Sequence, residues 1–301
     1  MTERRIYLVD ASIYVFRSWH VLPDSIVDAD GEPANAVHGF ADFLLQFLDR
    51  ARPTHVALAF DESLESSVRN DLYPPYKANR EPAPDELRRQ FRQCRALAAA
   101  AGLAELASPR FEADDVIATI ADRLRAQGYR HTVVTGDKDL AQLVAEGDEW
   151  WDFQRERRLD AAGIEKHFGV RPDQIADMLA IAGDKIDNIP GVPGIGPATA
   201  VRLLRRWEDI DGLFASLDRV PGMQIRGAKR IAELLREHEA TVRLARRLTG
   251  ALEAEPVADE PEAYRRRPAD PATLDGCLER LGFAAGRRRW WQDALAASGP
   301  A

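Results

Sequence analysis

Ile6–Asp10 reads IYLVD, four apolar residues closed by an aspartate, and the fold follows from that run. Apolar runs of the same strand length recur at Val56–Phe60 (VALAF), followed by Asp61, and at Thr132–Thr135 (TVVT), with Asp137 two residues beyond. Longer segments with helical periodicity separate them: Val37–Leu48 (VHGFADFLLQFL), Asp85–Ala101 and Ala113–Gln127. Strands alternating with helices predict an α/β fold with a central parallel sheet flanked by helices. In open parallel sheets ligands bind outside the carboxyl ends of the strands, so Asp10, Asp61 and Asp137 are predicted to converge there.

Working outward, the strand signal fades after about residue 168. Arg171–Leu204 reads as helix, Gly/Pro-rich turn, helix, and Arg-rich helices continue to about Leu248. The predicted organisation is an α/β unit over 1–168, a helical module over 169–250, and a linker with a loose tail over 251–301. Ala251–Pro271 carries the linker composition, and a short helix is expected near Ala272–Leu281. A chain of 301 residues, 45% hydrophobic, is long enough to bury a substantial core without staples. Cys94 and Cys277 lie far apart without CxxC or Cys/His spacing, which argues against a zinc site or a disulfide framework and fits a reducing cytoplasm. No apolar run approaches the ~20 residues that span a bilayer, and MTERRIYLVD lacks a signal-peptide pattern. A cytoplasmic protein with no membrane partner is expected.

Nine carboxylates set the chemistry. Glu112, Asp114 and Asp115 (EADD) open a helix, where acidic groups ordinarily cap free N–H groups and gain from the dipole. Asp137 and Asp139 share an i, i+2 spacing after a strand, and Asp184 and Asp187 (GDKID) lie three apart. With Asp10 and Asp61 these stand at strand ends and loop edges, not on amphipathic faces. Carboxylates this numerous cannot crowd together uncompensated, because like charges raise each other's pKa and each buried charge costs several kcal/mol. Oxygen ligands without histidine or cysteine suit Mg²⁺ or Mn²⁺, and two such ions about 4 Å apart serve phosphodiester hydrolysis.

The net charge of −8, from 49 acidic and 41 basic residues, looks adverse to a nucleic-acid partner. Distribution and bound cations reverse that reading locally. Asn70–Arg80 (NDLYPPYKANR), followed by Arg88, Arg89, Arg92 and Arg95, sets tyrosines and cations together, either as a phosphate-holding and base-stacking element or as a solvated helical face. Asn188–Ala200 (NIPGVPGIGPATA) has Gly191, Gly194 and Gly196 ahead of a basic helix, an arrangement that binds phosphate through backbone N–H groups or forms a tight helix–helix turn.

These motifs together, LVDAS with Phe16-Arg17, ANAVHGF, AFDES, YPPYKANR, FEADDVIATIA, VVTGDKDLAQLV and RPDQIADMLAIAGDKIDNIPGVPGIGPATA, resemble the 5′–3′ exonuclease and flap-endonuclease family from about Ile6 to Leu248. The likeness is strongest to the 5′-nuclease domain of bacterial DNA polymerase I and its stand-alone relatives. It implies a PIN-like core with a mainly parallel sheet, a helical arch over about 62–101, and a helix–three-turn–helix module that grips duplex DNA. By motif match, Asp10, Asp61, Glu112 and Asp114 would hold one metal, and Asp115, Asp137, Asp139, Asp184 and Asp187 would hold or orient the second. Lys77 and Arg80, supported by Arg17 and Arg69, would steer the scissile phosphate, with Tyr76 touching substrate nearby. The Gly-rich turn around Gly191, Gly194, Ile195 and Gly196 would contact DNA and bind K⁺ through the carbonyls of Val192 and Ile195.

The implied substrate is DNA with 5′ ends, flaps or nicks, extending to RNA primer–DNA hybrids. The same likeness implies polymerase or ligase partners, association with the nucleoid, and a monomer. Two positions depart from the family pattern: Ala11 replaces the glycine common after the first aspartate, and His38 replaces an aromatic. Neither removes a ligand, and His38 is assigned no role. Ending at Ala301, the chain leaves no room for proofreading and polymerase domains, so a free-standing nuclease or a separated fragment is expected. Three rivals share part of the pattern: a non-catalytic DNA-binding module, which would have lost carboxylates; a PIN-type ribonuclease, which normally lacks the Gly-rich clamp; and a small-substrate phosphatase, which leaves arch and clamp unexplained.

Overall fold

The computed structural model describes residues 4–62, 67–255 and 257–297. The first unit runs β1 (Arg5–Asp10), α1 (Ala11–Val21), α2 (Asn35–Ala51), β2 (His55–Asp61), α3 (Val68–Leu72), α4 (Asp85–Ala100), β3 (Ala104–Ser108), α5 (Ala113–Arg125), β4 (Arg130–Val134), β5 (Glu149–Asp152), β6 (Arg157–Leu159) and α6 (Ala161–Phe168). A helical series follows: α7 (Ile175–Ala182), α8 (Pro197–Trp207), α9 (Ile210–Ala215), α10 (Ala228–Glu237) and α11 (Glu239–Thr249), then α12 (Pro271–Arg280) and α13 (Ala285–Ala297). Among the described residues no helix is long and apolar enough to cross a membrane.

The sheet order is β3-β2-β1-β4-β5-β6, parallel except for β6, which runs antiparallel to β5. Strand order reverses between β1 and β4, and that switch point is where an open sheet leaves a crevice. The central strands read as unbroken apolar runs because both faces are covered. Val9, Val56, Leu58 and Phe60 face a core built with α2 and α4, while Ile6, Leu8, Ala57 and Ala59 face α5. The period of two is intact beneath a sequence that hides it.

Three strands escape the sequence reading. β3 (AELAS) is a half-buried edge strand without an apolar run, β5 (EWWD) is short and carries charge at both ends, and β6 has three residues, two of them arginine.

The segment expected to arch over the site divides. Residues 63–66 lie outside the described residues, and α4 is not an arch but a layer helix, with Leu87, Phe91, Cys94 and Leu97 in the sheet's core. Gln90 Oε1 accepts from the backbone N–H groups of Ala36 and Val37 at 2.7 and 3.2 Å, capping α2. The cations of α4 are mostly committed within the chain: Arg89 to Asp28 at 2.6 Å and Arg95 to Glu105 at 2.6 Å. Only α3 and the turn after it remain beside the carboxylates.

The loose C-terminal tail is also corrected. Arg266 N donates to Thr54 O and Arg267 N to Gly102 O, both at 2.9 Å, and α12 and α13 pack on α4 and α2. Gly102 makes the approach possible: its φ is +77°, and a Cβ there would stand 2.1 Å from Arg267 O. Trp291, Leu274 and Leu278 are buried in the same core as the strands. Ser298–Ala301 lie outside the described residues. His38, given no role by the sequence, stacks on Phe283 at 4.1 Å and bonds Leu281 O at 2.8 Å, which ties α2 to this returning segment.

Candidate metal centre and phosphate site

β1 and β2 deliver the first carboxylates, and the helices that follow or face them fix their orientation. Asp10 caps α1, accepting from Ile13 N at 3.4 Å, and receives Thr135 Oγ1 at 2.9 Å from the end of β4. Asp61 receives Ala113 N at 2.9 Å at the start of α5, while its own N–H donates to Ser12 Oγ at 2.8 Å. Glu112 and Asp114 come with α5. The N-terminus of α5 therefore lies against the end of β2, and its dipole favours the negative charge gathered there.

Charge is in excess. Burial, then Asp61 and Asp137, raise the Asp10 carboxyl to about 7. Asp114 is raised well above the ordinary range by burial and by Asp137, Asp10, Glu112 and Asp61. Asp61 is raised by burial and Glu112, against the pull of Lys77. Of these four carboxyls only Glu112 goes down: burial works against its charge, but Lys77 at 2.8 Å and Arg69 at 3.8 Å prevail.

The second group follows β4. Thr135 Oγ1 accepts from Asp137 N at 3.0 Å and Asp137 Oδ1 accepts from Asp139 N at 2.9 Å, so both aspartates are held by one turn. Lys138 Nζ lies 3.0 Å from Asp139 and 3.0 Å from Asp184, joining the two loops. Even so, burial and Asp137 raise Asp139 to about 7. Asp187 pairs with Arg80 and receives the Tyr76 hydroxyl at 3.4 Å. Lys138, Thr135 and Ser12 were not singled out from the sequence. Lys138 was legible, as a cation between two aspartates in GDKD, whereas nothing local marks Ser12 or Thr135.

Three residues stand elsewhere than expected. Asp115, one step and about 100° around the helix from Asp114, turns away from the cluster and is wholly buried. Its oxygens accept Arg69 at 2.6 and 2.8 Å, Leu252 N at 2.9 Å and Glu112 N at 3.2 Å, which fills the four acceptor sites a carboxylate offers. Arg69, expected to support DNA binding, is 4% exposed and spends its remaining donors on Leu248 O and Gly250 O at 2.8 and 3.0 Å. Tyr76 is 3% exposed, and its hydroxyl donates to Glu112 and Asp187 at 3.1 and 3.4 Å. Lys77 and Arg80 do face the carboxylates. Arg17 is exposed on α1 and makes no ion pair among the described residues.

The Gly-rich turn divides by role. A Cβ on Gly191 would stand 2.3 Å from the Ala182 carbonyl carbon, so this position lets two backbones meet. Gly194 holds φ +83°, and Gly196, facing open space, caps α8 with Pro197 as its first residue. Val192 and Ile195 are buried, and Val192 O accepts from Ile195 N at 3.0 Å.

Among the described residues no three acidic, histidine or cysteine side chains close around an ion position as they stand. The donor set nevertheless fits divalent cations. It is all oxygen, and Asp114 has neither hydrogen bond nor ion pair among the described residues although burial and four neighbouring carboxylates act against its charge. A cation of two charges relieves that repulsion where one lysine does not.

A doubly wound sheet with carboxylates at its switch point, followed by a helical module whose α7 and α8 are joined by a glycine-rich turn, defines a carboxylate-centred α/β protein with a helical domain behind it. The chain belongs to the 5′–3′ exonuclease family, whose N-terminal resolvase-like domain matches residues 5–169 and whose C-terminal SAM-fold domain matches residues 170–272. It is 33% identical over 216 residues to the 5′–3′ exonuclease of Aquifex aeolicus, covering 72% of this chain and 74% of that one. It is 37% identical over 291 residues to the DNA polymerase I of Rhizobium leguminosarum, covering 94% of this chain but only 28% of that protein's length. The fold matches that of the bacteriophage T5 flap endonuclease, solved as a pseudo-enzyme–product complex with DNA and metal ions, at a TM-score of 0.65 and 18% identity over 98% of this chain and 99% of that one.

Proposed function

We propose that this protein is a divalent-metal-dependent 5′ nuclease that hydrolyses DNA at 5′ ends, flaps and nicks. The observation that carries the reading is Asp114, without a hydrogen bond or ion pair among the described residues, set among Asp10, Asp61, Glu112 and Asp137 at the switch point of the sheet, where Lys77 acts on Asp61 and pairs with Glu112. Asp10, Asp61, Glu112 and Asp114 would hold one ion, and Asp137, Asp139, Asp184 and Asp187 the second, with Mg²⁺ or Mn²⁺ favoured by the oxygen donors. When bound, such ions supply positive charge to the reacting phosphate and lower the pKa of attacking water.

The chain's own groups do the rest. Lys77 and Arg80, paired with Glu112 and Asp187, stand at the rim of the cluster, where their charge would offset that of a phosphate bound there. Arg17, without an ion pair among the described residues, offers a further cation, and Tyr76 fixes the two carboxylates it bonds. The helical module would hold duplex DNA through the Gly194–Gly196 turn, with K⁺ at the carbonyls of Val192 and Ile195 as its natural counter-ion. A cytoplasmic, nucleoid-associated role in replication and repair follows, with RNA primer–DNA hybrids as further substrates and a polymerase or ligase as partner.

Asp114→Asn and Asp137→Asn proteins are expected to bind a 5′ flap but not to cleave it in Mg²⁺, measured on end-labelled flap, nicked, blunt and single-stranded DNA with matched RNA flaps alongside. Undiminished cleavage by both variants sinks the metal assignment.

A further inference from the structure

Four large apolar side chains stand out into solvent among the described residues: Val21, Val27, Ile186 and Trp290. Ile186 is the one that lies between two of the carboxylates, Asp184 and Asp187, and it is the most exposed of the four at 68%. Exposure of a single apolar residue is ordinary on a mobile loop. This loop is not built as one.

Asp184 Oδ1 accepts from Ile186 N at 2.8 Å and Asp187 N at 3.3 Å, and Asp184 and Ile189 exchange both backbone bonds, at 3.0 and 2.7 Å. The turn after α3 grips it from the other side. Asn79 Nδ2 donates to Lys185 O at 3.0 Å and Ile186 O at 3.4 Å, Lys77 N donates to Asp187 O at 3.0 Å, and Asn188 Nδ2 donates to Pro75 O at 2.6 Å. Lys77 and Asn188 take left-handed backbone conformations, φ +54° and +56°, to make this contact. A β-branched side chain with few rotamers is thus presented on a clamped backbone. Lys185 beside it is exposed and without an ion pair among the described residues, and Arg80 is close enough to pair with Asp187.

An apolar tip, fixed in place and flanked by cations at the edge of a phosphate-cleaving centre, matches one ligand chemistry: a base presented next to its own phosphate. We propose that Ile186 packs on the base of the nucleotide flanking the scissile phosphate and takes the place of that base's stacking neighbour. Such apolar wedges unstack a step without reading its sequence. The inference rests on the 5′-nuclease reading and identifies the part of the substrate that this edge of the site receives.

The test uses the full chain with Ile186→Ser and Ile186→Leu, and a 5′-flap DNA carrying 2-aminopurine next to the scissile phosphate. In Ca²⁺, a rise in 2-aminopurine fluorescence on binding is expected for the wild type, its loss for Ile186→Ser, and its return for Ile186→Leu. In Mg²⁺ the single-turnover rate at saturating DNA should fall about tenfold for Ile186→Ser, the size of one lost stacking contact, with thermal melting unchanged. A serine variant that unstacks and cuts like the wild type overturns the proposal, as does a wild type that binds without any fluorescence change. The fluorescence needs no cleavage. A protein that never cuts yet unstacks the base through Ile186 therefore sinks the nuclease reading and keeps the contact, whereas a cutting enzyme indifferent to Ile186 does the reverse.

Discussion

Replacing Arg69 by methionine removes the cation that ties three parts of the chain together: α3, the first turn of α5, and the segment leaving α11. The guanidinium makes two bonds to Asp115 at 2.6 and 2.8 Å, and one each to Leu248 O and Gly250 O at 2.8 and 3.0 Å. Asp115 is fully buried, and without Arg69 it keeps only two backbone N–H donors, from Leu252 and Glu112. Leaving one partner of a buried ion pair uncompensated costs about 3–5 kcal/mol. The two orphaned carbonyls add about 1 kcal/mol or more each if water does not reach them. Against a total stability of roughly 5–15 kcal/mol the expected loss is a large fraction. Urea unfolding followed by circular dichroism reads it directly, with the midpoint shifting down at constant slope. The double variant Arg69→Met/Asp115→Leu, which removes both charges, should recover part of the loss, because the penalty lies mainly in the stranded carboxylate. A loss below about 1 kcal/mol, or a double variant no better than the single one, refutes this account of Arg69 and reopens a DNA-contacting role for it.

Two further outcomes follow from the same geometry. Asp10 and Asp139 have folded-state carboxyls raised to about 7, so the folded protein binds more protons than the unfolded chain. Their contribution is present near pH 4 and lost as pH rises toward 7, so chelated protein should melt at progressively lower temperature across that window, and Mg²⁺ should flatten the slope; a flat profile in chelator would contradict the charge excess. Gly191→Ala should destabilise the helical module and weaken duplex binding, since its Cβ would fall 2.3 Å from the backbone of Ala182 and Gly183, while Gly196→Ala, in open space, should melt like the wild type. Equal effects at the two positions, measured by thermal melting and flap-binding titration, would rule out the division of roles drawn above.

How far the sequence reveals this site depends on what each residue's neighbours are. The carboxylates that close strands were legible because a short apolar run followed by aspartate means the same thing wherever it occurs: Asp10 and Asp61 end β1 and β2, and Asp137 lies just past β4. Asp115 was not legible, since one residue along a helix rotates a side chain by about 100°, and motif membership carries no information about that rotation. Arg69 and Tyr76 share this difficulty. Both sit in a segment of cations and aromatics that suits DNA, yet burial against Asp115 and Glu112 turns them inward. The C-terminal segment misled for another reason. The helix expected near Ala272–Leu281 is α12, with Leu274, Leu278 and Leu281 on one face, but the composition on either side suggests a linker and a loose tail where Trp291 and Leu295 carry the buried stripe onto α13.

The cluster is a consequence of packing before it is a matter of chemistry. Ala57 and Ala59 on β2 and Ala113 and Ala121 on α5 leave little between strand and helix, and Val116, Ile117 and Ile120 fill the remaining space. Close packing brings the start of α5 level with the end of β2, which is why Asp61 can accept from Ala113 N at 2.9 Å. The adjacency of β1 and β4 sets Asp10 and Thr135 within 2.9 Å, and Thr135 in turn holds Asp137 N at 3.0 Å. Carboxylates from four elements thus converge without any one of them being placed by a flexible loop. Repulsion among them is then borne by the scaffold, which Lys77, Lys138 and the buried Arg69–Asp115 pair help to hold. A surface assembled from loops would splay to relieve that charge; this one keeps its carboxylates together, the condition a site must meet to capture a cation strongly.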